Sequence, residues 1–223
     1  MFIGHAAVAL AAKPLAPRTS LALLLAAAFW VDLVWPVLLL AGIESVRIDP
    51  GNTAFTPLDF VHYPWTHSLA AAIVWSVLFA LACIGSGKRE AVILGLLVFS
   101  HWVLDAISHR PDLPLWPGSD TLIGFGLWNS VAATMIAECA MLAAGVWIYA
   151  RNAPPRDRIG SFAFWGLIGF LLLAYLGNAF GPPPPNAQAI AIAGIAGGVL
   201  FTAWAWWADR HRGRADASLT VSA

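Results

Sequence analysis

The sequence predicts an all-α fold. The expected form is a polytopic membrane helical bundle of about six transmembrane helices, with a short N-terminal half-membrane or interfacial helix before them. Three observations predict it. Hydrophobic residues fill 60% of the 223 positions and charged residues only 11%, where a soluble domain carries roughly a quarter. The mean hydropathy is +0.74, and apolar runs of about 20 residues recur, the length a helix needs to cross a hydrocarbon core. Twelve Trp residues supply the aromatic side chains that gather at membrane interfaces. The formal net charge is zero, so no nucleic-acid partner is expected. The expected partners are membrane lipids and a small-molecule or lipid substrate.

Phe2 to Ala12 is apolar but reaches only about 17 Å as a helix. Lys13, Pro14, Pro17 and Arg18 end it. Its charges follow the apolar run, the reverse of a signal peptide, so a half-penetrating or interfacial segment is expected, carrying His5. Ser20 to Ile43 reads as the first span, with Asp32 near its middle. A Pro/Gly/Asp-rich loop follows from Glu44 to Pro64. Thr66 to Cys83 is the second span, with Thr66 as its expected N-cap. A short turn carries Lys88 and Arg89. Ala91 to His109 is the third span, and Pro111 to Gly126 another Pro/Gly/Asp loop. Leu127 to Ala150 is the fourth span, containing Glu138. Ser161 to Leu176 and Ala187 to Trp207 are the fifth and sixth, joined through the prolines of Gly181 to Asn186, a stiff connector. Residues 1–208 are thus expected as one membrane-embedded domain. Its chemistry-bearing half is 1–140, its accessory helices are 160–208, and 209–223 is a polar tail. Cys83 and Cys139 lie in apolar runs and read as buried, inert thiols.

Six crossings place both termini on one side. Lys13, Arg18, Lys88, Arg89, Arg151, Arg156, Arg158, Arg210, Arg212 and Arg214 fall on that side, and only Arg47 and Arg110 on the other. The asymmetry predicts cytoplasmic termini.

The third span carries His101, Asp105 and His109. Residues four apart stack on one helix face, so the three form a ladder within an arc of about 80°, rising about 6 Å per step. Two imidazoles and a carboxylate on one stripe is spacing that a metal site uses. His101 and Asp105 suit one ion. His101 and His109 lie about 12 Å apart along the axis, too far to be expected on the same ion. Two metals with Asp105 between them, or one metal plus an acid/base residue, both fit. Asp32, His101 and Glu138 come out near mid-depth, His5 within reach of them, and His62 and His67 beside the outer start of the second span. His211, in the basic tail, is set aside. A charge in a bilayer core costs about 2.5–3.5 kcal/mol on insertion scales. Arg and Lys are absent from that depth, so Asp32, Asp105 and Glu138 require a bound cation or protonation.

The early Gly4-His5, Asp32 in the first span, Thr66-His67-Ser68, and the His101-Asp105-His109 ladder together resemble the YdjM-like family (DUF457) of bacterial inner-membrane proteins described as metal-dependent hydrolases. Arg110 to Gly118 and Gly126 to Ser130 look like a subgroup signature, and the likeness covers roughly residues 1–140. Members often carry Pro before the first carboxylate, where Val31 stands here. The resemblance implies one or two divalent metals, zinc foremost with Mn2+ or Mg2+ as alternatives. It also implies hydrolysis of an ester or phosphoester, with a lipid-linked substrate a natural guess. The expected ligands are His67, His101 and Asp105, with some of His5, Asp32, His62 and His109. Glu138 or Asp32 is the expected general base. Two other readings use the same residues: a metal-ion or proton transporter, and a non-catalytic scaffold stapled by a metal. The apolar inner halves of the first three spans favour a site open to one side only.

Overall fold

Short polar residues mark where helices begin. Ser20, Ser68, Ser130, Asp157 and Asn186 each accept, through the side chain, the backbone N–H three residues on. This satisfies one of the donors that a helix N-terminus leaves open. A computed structural model describes residues 1–213; Arg214 and the rest of the expected tail lie outside the described residues. The helices are α1 (Ile3–Ala11), α2 (Leu21–Ala28), α3 (Trp30–Leu40), α4 (Pro64–His67), α5 (Leu69–Ala82), α6 (Lys88–Ser108), α7 (Val131–Asn152), α8 (Arg158–Phe180) and α9 (Ala187–Arg210). The loops expected to be irregular hold two antiparallel ribbons. One pairs β1 (Ser45–Ile48) with β2 (Leu58–His62), and the other pairs β3 (Leu113–Pro114) with β4 (Leu122–Ile123).

Among the described residues, α6, α7, α8 and α9 are each long and apolar enough to cross a membrane. The expected first span is instead broken at Phe29 into α2 and α3, which meet at 58°, so the count reaches five if the pair is one span. Pro36 sits inside α3 and has no N–H to return to the Asp32 carbonyl. The expected second span also changes. Its helix, α5, has 14 residues, about 21 Å, and Ser68 rather than Thr66 caps it. Pro64–His67 coil into their own turn because Glu44 Oε1 takes the N–H groups of Trp65 and Thr66 at 2.8 and 3.0 Å.

The packing is inverted relative to a soluble protein. On α7, Ile136 is 72% exposed while Glu138, two residues on, is fully buried. Leu96 on α6, Leu173 on α8 and Val199 on α9 face outward in the same way. Apolar side chains outside and ionisable ones inside is the arrangement that lipid imposes, and it marks a membrane protein. Cys139 shares the outward face of α7. Its expected burial does not hold, and Cys83 is only half-buried.

The two ends of the bundle are chemically distinct. At one, Lys13 Nζ donates to both Asp209 oxygens at 3.1 and 3.0 Å and to the Thr19 carbonyl, and Tyr149 donates to Asp209 at 2.6 Å. Arg212 donates to the Ala153 and Gly160 carbonyls at the same end. At the other, Arg47 and Arg110 both pair with Asp59. Lys13 and Arg212 thus lie at one end, and Arg47 and Arg110 at the other.

Helix α1 is not interfacial. Nearly all of its residues are buried, between α7, α2, α6 and α8. Gly145 on α7 permits that closeness: a Cβ there would lie 2.9 Å from Ala7 Cα and closer still to the Ala7 carbonyl oxygen. Small residues let membrane helices approach backbone to backbone.

Candidate metal centre

Asp105 is the hub. One turn above it on α6 is His109, which caps the helix, and one turn below is His101. His67 arrives from the α4 turn, Asp32 from the first turn of α3, and His5 from α1. His101 Nε2 lies 3.1 Å from Asp105 Oδ2 and 3.6 Å from Asp32 Oδ1. His67 Nε2 lies 3.4 Å from Asp32 Oδ1 and 3.8 Å from Asp105 Oδ2. A tetrahedral ion with ligand bonds of about 2.0–2.1 Å holds its ligands about 3.3–3.4 Å apart. These four separations fall on either side of that value.

The outer hydrogen bonds fix which imidazole nitrogen faces inward. His101 Nδ1 donates to the Ala28 carbonyl at 2.8 Å, and that carbonyl stands at the α2–α3 break. The Thr66 hydroxyl gives its single proton to Glu44 Oε2 at 2.7 Å, so it accepts from His67 Nδ1, also at 2.7 Å. As neutral imidazoles, both histidines aim a bare Nε2 lone pair at two carboxylates. His101 Nε2 is buried with no hydrogen-bond partner. Lone pairs facing carboxylates repel unless something positive lies between them. Asp32, His67 and His101 form one group able to hold a metal ion, and His5, His101 and Asp105 form a second. The groups overlap at His101, whose one free nitrogen serves a single ion.

His5 and His109 stand differently. The His5 ring stacks on His101, 3.7 Å between centroids and 5° from parallel, and its Nε2 meets Asp105 Oδ1 at 3.2 Å. The Met1 amine donates to the same oxygen at 2.5 Å and to Ser108 Oγ at 3.2 Å. A cationic nitrogen thus reaches Asp105, which the expectation based on Arg and Lys did not foresee. His109 Nε2 is 4.0 Å from Asp105 Oδ2. Its Nδ1 lies 2.9 Å from Asp112 Oδ1, to which Tyr63 donates at 2.6 Å. Burial, and then the Asp112 carboxylate, hold the Tyr63 phenol well above its ordinary range, so it remains a donor.

Two expected site residues lie apart from this cluster. His62 is exposed at the end of β2 and joins neither metal-binding group. Its neighbour Tyr63 is buried in its place. Glu138 is close to the site, but its Oε2 accepts the N–H groups of Phe2 and Gly4 at 2.9 and 3.0 Å. It anchors the start of α1, a carboxylate at the positive end of a helix.

Glu44, Thr66, Tyr63 and Asp112 were not among the expected site residues. Asp112, three residues after His109, carried a weak signal as a His-x-x-Asp pair. Glu44 carried none, because its partners are 21 and 22 residues away. Its role is testable. If the cluster holds zinc, replacing Glu44 with Gln should weaken its binding about 10–100-fold, the usual cost of an outer-shell partner, as measured by competition with a chelator. Unchanged affinity would remove Glu44 from the site.

No protein-family model, curated protein or solved structure matches the chain.

Proposed function

We propose that the protein is a membrane-embedded metal-dependent hydrolase acting on an ester or phosphoester. In this reading it sits in a bacterial inner membrane with cytoplasmic termini, and its site faces the outer side. The observation that carries the proposal is the pair of Nε2 atoms, on His67 and His101, facing the Asp32 and Asp105 carboxylates at 3.1 to 3.8 Å. Two imidazoles and two carboxylates in that geometry suit zinc better than the octahedral, oxygen-preferring Mg2+ or Mn2+. The two candidate groups share His101, whose single inward nitrogen favours one ion over two. The likeness to the YdjM-like hydrolases points the same way.

A zinc ion held there would supply Lewis acidity toward a phosphoryl or carbonyl oxygen and acidify a coordinated water. The chain's own residues divide the remaining work. Asp32 is the ligand nearest an opening, its side chain 36% exposed while that of Asp105 is 3%. His109 is the acid/base residue: with its Nδ1 proton directed at Asp112, its Nε2 is free to accept a proton at the edge of the cluster and later return it. Glu138 holds α1 in place and takes no part in proton transfer. Below His101 the core is closed by Leu94, Leu97, Val98 and Leu25, all buried. An apolar plug there suits a site with one opening rather than a transport path.

The test is metal content and turnover of protein purified in detergent without affinity-tag metal. One zinc per chain is expected, with cleavage of a chromogenic phosphodiester or carboxyl ester that chelation abolishes. His109→Gln should keep the zinc and lower kcat about 10²–10⁴-fold. A folded protein without metal would sink the proposal, as would His101-dependent ion flux in proteoliposomes without hydrolysis.

A further inference from the structure

Asp32 lines a cavity of about 650 Å³, within the roughly 300–1,000 Å³ range of small-molecule sites. Helices α3 and α8 both pack on α9 but touch each other little, and the cavity fills the gap between them. Its walls are apolar: Leu33 and Trp35 from α3, Phe170 from α8, and Ile190 and Phe201 from α9, with the prolines of 182–185 at its mouth. Glycines create the space. A Cβ added at Gly177 on α8 or Gly197 on α9, both of which line the cavity, would meet nothing within 4 Å.

We infer that this cavity binds the hydrocarbon chain of a lipid phosphate ester and presents its headgroup to the cluster at Asp32. The inference rests on the hydrolase reading for what happens to the headgroup, but not for the binding itself. Three features select a lipid chain over a soluble ligand. The walls lie in the apolar spans, and Asp32 is the only charged side chain among them. Along α9 the cavity runs from Ile190 to Phe201, about 16 Å, the depth of one leaflet of a roughly 30 Å core. The mouth lies at the end of the bundle that holds the Pro-rich connector, where α8 ends and α9 begins, and the exposed Asn178 and Ala193 line it. Glycerolipids and isoprenyl phosphates share this chemistry.

The experiment uses the full chain in detergent and two photoactivatable probes, a long-chain diacylglycerophosphate and an isoprenyl diphosphate, each with a diazirine near the end of its chain. Labelled peptides are mapped by mass spectrometry. Labelling of segments 170–178 and 189–201 is expected from at least one probe, and the probe that labels identifies the source of the chain. Gly197→Leu should cut that labelling at least tenfold while zinc content and thermal stability stay at wild-type values. Where turnover is measurable, it should also lower the ratio of long-chain to soluble phosphodiester cleavage. If Gly197→Leu does not fold, Gly177→Leu repeats the test from α8. With the labelled residue located by fragmentation of each peptide, labelling at outward positions such as Ile192 and Val199 instead of the lining residues Phe170, Ile190 and Phe201, or labelling unaffected by both variants, would overturn the inference. Cavity labelling without cleavage of any ester would support the lipid site and remove the hydrolase. Cleavage of the soluble diester with no cavity labelling would do the reverse.

Discussion

On the proposed reading, Asp105→Asn should remove the metal from the centre and abolish the proposed hydrolysis. The carboxylate has both oxygens in use. Oδ2 faces His101 at 3.1 Å, His67 at 3.8 Å and His109 at 4.0 Å, while Oδ1 takes His5 at 3.2 Å and the Met1 amine at 2.5 Å. The amide has almost the same shape, so packing survives. It carries no negative charge, however, and its NH2 cannot serve as a ligand. Whichever way it flips, one set of partners meets a donor where an acceptor is needed. Outer-shell losses cost about 10–100-fold in metal affinity, and loss of a direct anionic ligand should exceed that range. Elemental analysis of the purified variant should find no stoichiometric zinc. His62→Ala, made alongside, should retain it, because His62 is exposed and outside the cluster. Full zinc occupancy in Asp105→Asn would remove this residue from the centre and with it the proposed geometry.

Gly145→Leu should do comparable damage from a distance. The substitution forces a side chain into the Ala7 backbone, which has no rotamer through which to yield, and Ala7 Cα is already 2.9 Å from where the new Cβ would sit. Overpacking of this kind costs about 1–3 kcal/mol and occasionally more. Contact with backbone puts this case at the upper end. For a chain of this size about 3 kcal/mol corresponds to a fall in Tm of about 6–12 °C. Helix α1 should separate from α7, taking His5 away from His101 and Asp105 and the Phe2 and Gly4 N–H groups away from Glu138. Zinc affinity should fall together with Tm. Gly169→Leu on α8 is the matched control, since a Cβ there meets nothing within 4 Å; it should leave both unchanged. Equal stability of the two variants would mean that α1 is not held by this contact.

The centre of the site was legible because helical spacing is a strong constraint. Residues 101, 105 and 109 must share a face once they share a helix, and the structure puts Asp105 between the two histidines. His62 failed for a reason of parity. It was placed by depth, as if near a helix start, but it lies at the end of a strand, where the adjacent Tyr63 turns inward in its place. The broken first span was hidden because hydropathy over residues 20–43 stays high despite Asp32, and hydropathy does not register a change of direction at Phe29. Glu138 was read correctly as a buried carboxylate that needs partners. Those partners are two backbone N–H groups from the far end of the chain, which no residue-type pattern reveals. Helices α8 and α9 were treated as accessory because they carry few chemical groups. Their contribution at Gly177 and Gly197 is the absence of side chains, and motif reading searches for presence.

The clasp of Lys13, Tyr149 and Asp209 has a consequence for biogenesis. Asp209 also accepts the Leu21 N–H at the start of α2, so the first and last helices of the bundle meet on one carboxylate. Asp209 is among the last residues of the described chain to leave the ribosome. The N-terminal segments enter the membrane first and wait, unclasped, until α9 has been inserted. Because α1 also waits for Glu138 on α7, the early histidine and the early aspartate take their final positions only after later helices arrive. An incomplete chain stalled in the translocon would then present His5, Asp32 and His101 apart, and the cluster would assemble only on completion of the bundle.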